Sequence, residues 1–153
     1  MKTTKIIALT MWSIFVVVPG LHAACSTASV AGRFGFTTTG SIPAVGPVAA
    51  TGIFTQDASG NITGTQTRSL NGGVADETFT GTATVNSDCT GTDTIQVFQD
   101  GNLVRTTTLH VVYDDNGREA RAIFTSLVLQ PSGVSLPSII TIEARKLFSR
   151  ESD

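Results

Sequence analysis

The chain has 153 residues, a length typical of one folded domain. Ten Lys and Arg residues against twelve Asp and Glu residues give a formal net charge of −2. The sequence therefore lacks the clustered basic residues of nucleic-acid-binding proteins, and an anionic membrane surface is an equally poor partner.

The first 23 residues have the pattern of a cleaved secretory signal peptide. Lys2 and Lys5 precede a largely apolar run over residues 6–18, and Pro19-Gly20 and small residues follow it. The alternative is an uncleaved anchor, but the run is shorter than the roughly 20 residues of a membrane span. Export predicts a secreted or periplasmic bacterial protein. Removing Lys2 and Lys5 leaves eight basic and twelve acidic residues, a net charge of −4.

The chain has two cysteines, Cys25 and Cys89. In an exported protein an even pair predicts one disulfide. The alternative is a lipoprotein with lipid on Cys25, but His22 stands where such signals usually carry Leu. Lipidation would also leave Cys89 as an unpaired thiol, so the disulfide is favoured.

After residue 25 no stretch keeps helical apolar spacing for three turns, and short runs rich in Thr, Val, Ile and Phe alternate with turn residues. The strongest hairpin signal is Gln99-Asp100-Gly101-Asn102. A loop containing Pro and Ser spans residues 130–138, and residues 149–153 are expected to form a frayed tail. Eight strands are predicted, over residues 30–39, 48–56, 62–70, 77–85, 92–98, 103–113, 119–129 and 139–147.

The short connections predict one all-β domain over residues 24–148, in which each strand pairs with the next. An eight-stranded antiparallel up-and-down barrel, with the eighth strand against the first, removes the exposed edges of such a meander. A two-sheet β-sandwich is the alternative.

Many positions predicted to face inward carry small side chains. In an eight-stranded barrel they leave room for one small ligand, or they relieve strand curvature. These positions are Gly32, Ala50, Gly52, Gly64, Gly81, Ala83, Ala122 and Ala144.

Reactive groups are few in the chain that remains after cleavage. Its one histidine is His110, and no set of residues has the spacing of a metal site, a nucleophilic triad or a phosphate-binding loop. We therefore expect no metal and no cofactor, and enzymatic activity is uncertain and not favoured. The acidic pairs Asp76-Glu77 and Asp114-Asp115 lie beside predicted turns, where acids make local hydrogen bonds.

Some polar side chains are predicted on apolar faces. Gln66 and Arg68 share a face with Ile62 and Leu70, Arg105 shares one with Tyr113, and Arg121 shares one with Ile123 and Leu127. A convergent group of Arg, Gln and Tyr in an apolar pocket would bind a carboxylate or carbonyl oxygen. The alternative is that each arginine lies on the solvent face with its stem along apolar neighbours.

Through Gly32-Arg33-Phe34 and Arg145, the sequence resembles the calycin-type barrels, meaning the lipocalins and the allene-oxide-cyclase-like proteins. Lipocalins open their first strand with Gly-x-Trp and pack a late Arg across that Trp; here Phe34 replaces it. The chain is also similar to small exported bacterial proteins of unassigned function, through Gly32–Phe36, Gly60-Asn61 and Asp88–Gly91. The resemblance implies a barrel and a bacterial periplasmic or extracellular location. It does not assign a catalytic residue to any position of this chain.

These observations favour an exported barrel that binds a small apolar or amphipathic ligand, with Arg105 or Arg121 as a polar anchor. The first alternative is a cofactor-free cyclase or isomerase acting inside the barrel, because such catalysis depends on orientation. The second is a structural or surface-interaction protein with a filled core. The predicted ligand-binding residues are Phe34, Phe36, Phe54, Phe79, Arg105, Tyr113, Arg121 and Phe124.

Overall fold

A computed structural model describes residues 24–148. The predicted signal peptide over residues 1–23 and the predicted tail over residues 149–153 lie outside this part of the chain.

The described residues form eight strands with two short helices. The predicted all-β class is confirmed, and most strand ends lie within four residues of the prediction. The sequence analysis did not predict the short helix α1, in which Ser26 and Ser29 cap each other's backbone N–H groups. The elements are α1 Thr27–Val30, β1 Gly32–Ile42, β2 Gly46–Gln56, β3 Asn61–Leu70, β4 Gly73–Val85, β5 Thr90–Gln99, β6 Asn102–Asp114, a 3₁₀ turn Asp115–Gly117, β7 Glu119–Leu129 and β8 Ile139–Lys146.

The strands close into one antiparallel barrel in chain order, β1 to β8. β1 pairs with β2 on one side and with β8 on the other, where Phe36 lies opposite Ala144. The up-and-down barrel is thus confirmed, and the sandwich alternative is wrong. Closure leaves no sheet edge for pairing with another chain.

The hairpin turns follow from local chemistry. In the β5–β6 turn, Asp100 and Gly101 have φ angles of 51° and 78°, as a two-residue turn that continues the strand twist requires. In the β2–β3 turn, Asp57 Oδ1 accepts hydrogen bonds from the backbone N–H of Ser59 (2.8 Å) and Asn61 (2.9 Å). These backbone angles and hydrogen bonds explain why Asp, Gly and Asn residues occupy the two turns.

The two ends of the barrel differ. We call the end with turns 57–60, 86–89 and 115–117 the disulfide end, and the end with connections 43–45, 71–72, 100–101 and 130–138 the loop end. At the disulfide end Cys25 and Cys89 form the predicted disulfide, with their Cα atoms 5.0 Å apart. Val30 of α1 is only 1% exposed and packs beside Gly117. Helix α1 therefore helps to cover the disulfide end.

Side chains alternate between the interior and the outer surface, except where a strand is bulged. In β7, Ser126 pairs with Thr108 but Phe124 pairs with Leu109, so Thr125 is an extra residue. The bulge places Phe124 and Leu127 on the same, inner side. Arg121 and Ile123 share the outer face, but Leu127 does not join them there, so that part of the prediction is wrong because strict alternation does not cross a bulge.

Aromatic rings fill part of the interior. Phe34 stacks on Phe54 with ring centroids 4.9 Å apart, and Phe36 meets Phe79 edge-on at 5.9 Å. A Cβ atom at Gly64 would collide with the Phe79 ring. This glycine of β3 is therefore needed for the packing of the neighbouring strand.

Candidate functional site

The barrel interior contains a cavity of about 270 Å³. Most of its lining is aliphatic or aromatic, and it extends from Tyr113 near the disulfide end to Val45 and Leu136 at the loop end. The core is therefore not filled. The polar side chains of the lining are Thr38, Gln66, Arg68, Asp93, Arg105, Thr107 and Tyr113.

The cavity brings together most of the residues predicted to bind a ligand, namely Phe36, Phe54, Phe79, Arg105, Tyr113 and Phe124. Phe34 is fully buried behind Phe54 and is not part of the lining. Arg121 lies on the outer surface, where 65% of its side chain is exposed and it forms an ion pair with Asp114. The structure thus separates Arg121 from the other predicted residues.

Small side chains contribute to the volume of the cavity. Ala50, Ala122 and Ala144 line the cavity, as their predicted inward orientation requires. The other small inward positions lie outside this lining, and several glycines among them sit directly against a neighbouring strand. Alanine therefore provides room here, whereas these glycines permit close packing.

A buried ionic cluster lies toward the loop end of the interior. Glu77 Oε1 accepts hydrogen bonds from Arg68 Nε (2.8 Å) and Arg105 Nη1 (2.7 Å). Its Oε2 accepts from Arg105 Nη2 (2.6 Å) and Gln66 Nε2 (2.7 Å). The Glu77 side chain has no exposed surface, so these four bonds replace its hydration.

The charges of this cluster do not balance. Two guanidinium groups surround one carboxylate, which leaves one excess positive charge at the cavity wall. Burial opposes ionisation of Glu77, but the hydrogen bonds and charge of Arg105, together with the hydrogen bonds from Arg68 and Gln66, lower its pKa to about 2. Arg105 is held in a two-pronged pair, whereas the two Nη groups of Arg68 donate to no described residue. Arg68 is therefore the better placed to bind an added anion.

A second carboxyl group, that of Asp93, lines the cavity without a cation. Asp93 is 8% exposed, and its Oδ1 accepts no hydrogen bond from the described residues. Burial raises the pKa of this carboxyl group to about 7. Two carboxyl groups of one barrel interior therefore have opposite pKa shifts, because only Glu77 has ionic partners.

Tyr113 crosses the interior near the disulfide end. Its hydroxyl group donates a hydrogen bond to Gln56 Oε1 (3.1 Å) on β2. Burial, with the charge of Asp93, raises the pKa of Tyr113 well above its usual value. Tyr113 is therefore a neutral phenol that links β6 to β2.

Glu77 and Asp93 are the site residues that the sequence analysis did not select. Interpreting Glu77 as a turn acid is wrong, because β4 begins at Gly73 and carries Glu77 inward as a buried residue. Asp93 lies on the buried face of β5 with Gly91, Ile95 and Val97. These residues are spaced by two, a pattern that was readable in the sequence.

Within residues 24–148 no group of three His, Cys, Asp or Glu side chains could hold a metal ion. His110 lies exposed on the outer face, away from the cavity. In the same part of the chain, no helix has the length and apolar character needed to cross a membrane.

Comparison with known proteins shows the fold but not a family. No family model matches the chain, and no curated protein matches it. A solved structure described as EF1p2_mFAP2b bound to DFHBI is similar, with a TM-score of 0.58 and 12% identity over 80% of this chain and all of that chain. The redesigned β-barrel mFAP1, bound to DFHBI, has a TM-score of 0.54 and 16% identity over 79% of this chain and 98% of that one. Both neighbours are eight-stranded β-barrels.

Proposed function

We propose that this protein binds one small amphipathic molecule inside the barrel. The apolar body of the ligand lies in the cavity, and its anionic or carbonyl head group lies against Arg68 and Arg105. The observation that carries this proposal is the excess positive charge at one end of a mostly apolar cavity of about 270 Å³.

Both parts of the ligand contribute to the proposed affinity. Each methylene group moved from water to the apolar lining contributes about 0.8 kcal/mol. A carboxylate held by a guanidinium group forms strong, directional hydrogen bonds in this low-dielectric interior. The apolar lining thus supplies affinity, and the arginines fix the orientation of the ligand.

The similar structures support this proposal at the level of architecture. Two barrels of this shape are described as bound to the small molecule DFHBI. An eight-stranded barrel has an interior wide enough for one small ligand when its inner side chains are small. Ala50, Ala122 and Ala144 meet that condition.

We further propose that the protein is exported through the signal peptide over residues 1–23 and works in the periplasm or outside the cell. The Cys25–Cys89 disulfide supports this location, because disulfides persist in oxidising compartments. Membership of a calycin-type family stays a prediction.

Calorimetric titration with decanoate, an apolar chain with one carboxylate, tests the ligand-binding proposal. We expect saturable binding at one site, weakened about tenfold or more in Arg68→Met, because a hydrogen bond to a charged group is worth roughly 1.5–3 kcal/mol. Arg121→Met is the matched control and should bind as the unmodified protein does, since Arg121 lies outside the barrel. Equal weakening by the two substitutions would contradict the proposed anchor.

A further inference from the structure

Asp93 is a buried polar group that the proposed anchor does not use. It lies on β5, more than nine-tenths buried, and its carboxyl group lines the cavity. Its Oδ1 has no hydrogen-bond partner among the described residues. A buried acceptor without a donor is unfavourable, so a donor arriving inside the cavity would gain a partner there.

The side chains around Asp93 do not supply that donor. Its strand neighbours are Ala83 on β4 and Leu109 on β6. Tyr113 on β6, whose pKa is raised by burial and in part by the charge of Asp93, already donates its hydroxyl hydrogen to Gln56, and α1 carries no charged residue. Burial raises the pKa of Asp93 to about 7, and no basic group offsets this effect.

Asp93 and the arginines lie at different depths of the barrel. Asp93 pairs with Leu109, and Arg105 stands four residues from Leu109 on the same strand toward the loop end. At about 3.3 Å per residue, this separation is roughly 13 Å. One elongated molecule can therefore reach both places.

We propose that Asp93 forms a second polar subsite, which binds a hydrogen-bond-donating O–H or N–H group at the end of the ligand remote from Arg68. This inference rests on the proposed function and specifies the ligand class. The ligand is an apolar chain with an acidic group at one end and a hydroxyl or amino group at the other.

The two kinds of donor respond differently to pH. A hydroxyl group can donate to the Asp93 Oδ1 whether the carboxyl group is neutral or ionised. A charged amino group requires the ionised form, because an ammonium ion beside a neutral carboxyl group in an apolar cavity is poorly compensated. With the pKa of Asp93 raised to about 7, amine binding should strengthen as pH rises above 7.

The test compares decanoate, ω-hydroxydecanoate and ω-aminodecanoate by calorimetric titration at pH 6 and pH 8. We expect a substituted ligand to bind about tenfold more tightly than decanoate, the ratio that one well-formed hydrogen bond provides. A preference for the hydroxyl ligand at both pH values identifies a hydroxyl donor. A preference for the amino ligand at pH 8 alone identifies an amine.

Two variants test whether the gain in affinity from the terminal hydroxyl or amino group depends on Asp93. Asp93→Leu removes the acceptor and should make decanoate the tightest of the three ligands, whereas Asp93→Asn keeps an acceptor oxygen and should retain any hydroxyl preference. The exposed Asp76→Asn is the control and should behave as the unmodified protein. Binding of decanoate by each variant shows that its barrel is folded.

Different results would overturn the Asp93 subsite and the ligand-binding proposal. Tight binding of decanoate with no gain from either terminal group would overturn the Asp93 subsite alone. A gain that persists in Asp93→Leu would also overturn it. If decanoate and both derivatives fail to bind the unmodified protein, the proposed function and this inference are overturned together.

Discussion

At the scale of single residues, two carboxyl groups on adjacent strands have opposite environments. Glu77 on β4 receives four hydrogen bonds, three of them from arginines, whereas Asp93 on β5 receives none at its Oδ1. The pKa of Glu77 is lowered to about 2, and that of Asp93 is raised to about 7. Burial acts on both groups, so the presence of arginine decides the difference.

Replacing Glu77 should destabilise the barrel strongly. Glu77→Gln leaves the largely buried Arg68 and Arg105 without a counter-charge, and loss of one partner of a buried ion pair costs about 3–5 kcal/mol. Urea unfolding measures this loss. Asp76→Asn, at the neighbouring exposed position, should change the free energy of unfolding by less than about 1 kcal/mol. Similar effects of the two substitutions would show that the ionic cluster is unimportant for stability.

Replacing Asp93 should change how stability depends on pH. Because its folded pKa of about 7 lies above the usual aspartate value of 3.8, the folded state holds a proton that the unfolded state releases. Stability from this group is thus fully present below pH 4 and is lost as pH rises to 7. Asp93→Asn should remove this decline, so its advantage over the unmodified protein should grow between pH 4 and pH 7. Urea unfolding across this range measures it, and a constant difference would contradict the assignment.

Acid should destabilise the protein through Glu77. Its folded pKa of about 2 lies below the usual glutamate value of 4.5, so the unfolded state binds a proton first as the pH falls. The stability that Glu77 contributes is present above pH 4.5 and should fall as pH drops toward 2. In Glu77→Gln this part of the acid dependence should be absent, which urea unfolding between pH 2 and pH 5 would show. An unchanged acid dependence in the variant would contradict the role of Glu77.

At the scale of secondary-structure elements, period-two alternation predicted most of the inner surface. It placed Arg105 and Tyr113 on one face of β6, and both line the cavity. It failed in β7, because the extra Thr125 is not marked by any residue type that alternation can detect. The acidic pair Asp76-Glu77 was misinterpreted for a related reason. β4 starts at Gly73, four residues before its predicted start, so Glu77 is an interior residue of the strand and not its first residue beside a turn.

The N-terminal segment depends on its disulfide. Cys25 and Cys89 are 64 residues apart in sequence, and closing a loop of this length stabilises a fold by about 4 kcal/mol in the chain-entropy model. The double substitution of Cys25→Ser and Cys89→Ser should lower the free energy of unfolding by an amount of this order, as measured in urea. Reducing agent should have the same effect on the unmodified protein and none on the double variant. A reductant effect on the double variant would point to a different cause.

At the scale of the whole molecule, the barrel follows from eight strands joined in sequence by mostly short connections, and closure removes their edges. This much could be predicted from alternation and turn residues. The cavity could not, because its volume depends on how far side chains from different strands reach across the interior. The ionic cluster was also beyond sequence reasoning, since Arg105 and Glu77 meet through two strand pairings and a bulge beside Phe98.

The central claim is that the ligand occupies the interior of the barrel. Ala50 lines the cavity, whereas the neighbouring Ala49 is exposed on the outer face of β2. Ala50→Phe therefore fills the space that a ligand needs, and Ala49→Phe adds the same ring outside the barrel.

Calorimetric titration of decanoate into these two variants tests that claim most directly. We predict saturable, one-site binding by Ala49→Phe and by the unmodified protein, and a loss of at least about tenfold in affinity for Ala50→Phe, a difference of about 1.4 kcal/mol. Equal affinity of the two variants, or no saturable binding by the unmodified protein, would contradict ligand binding inside the barrel.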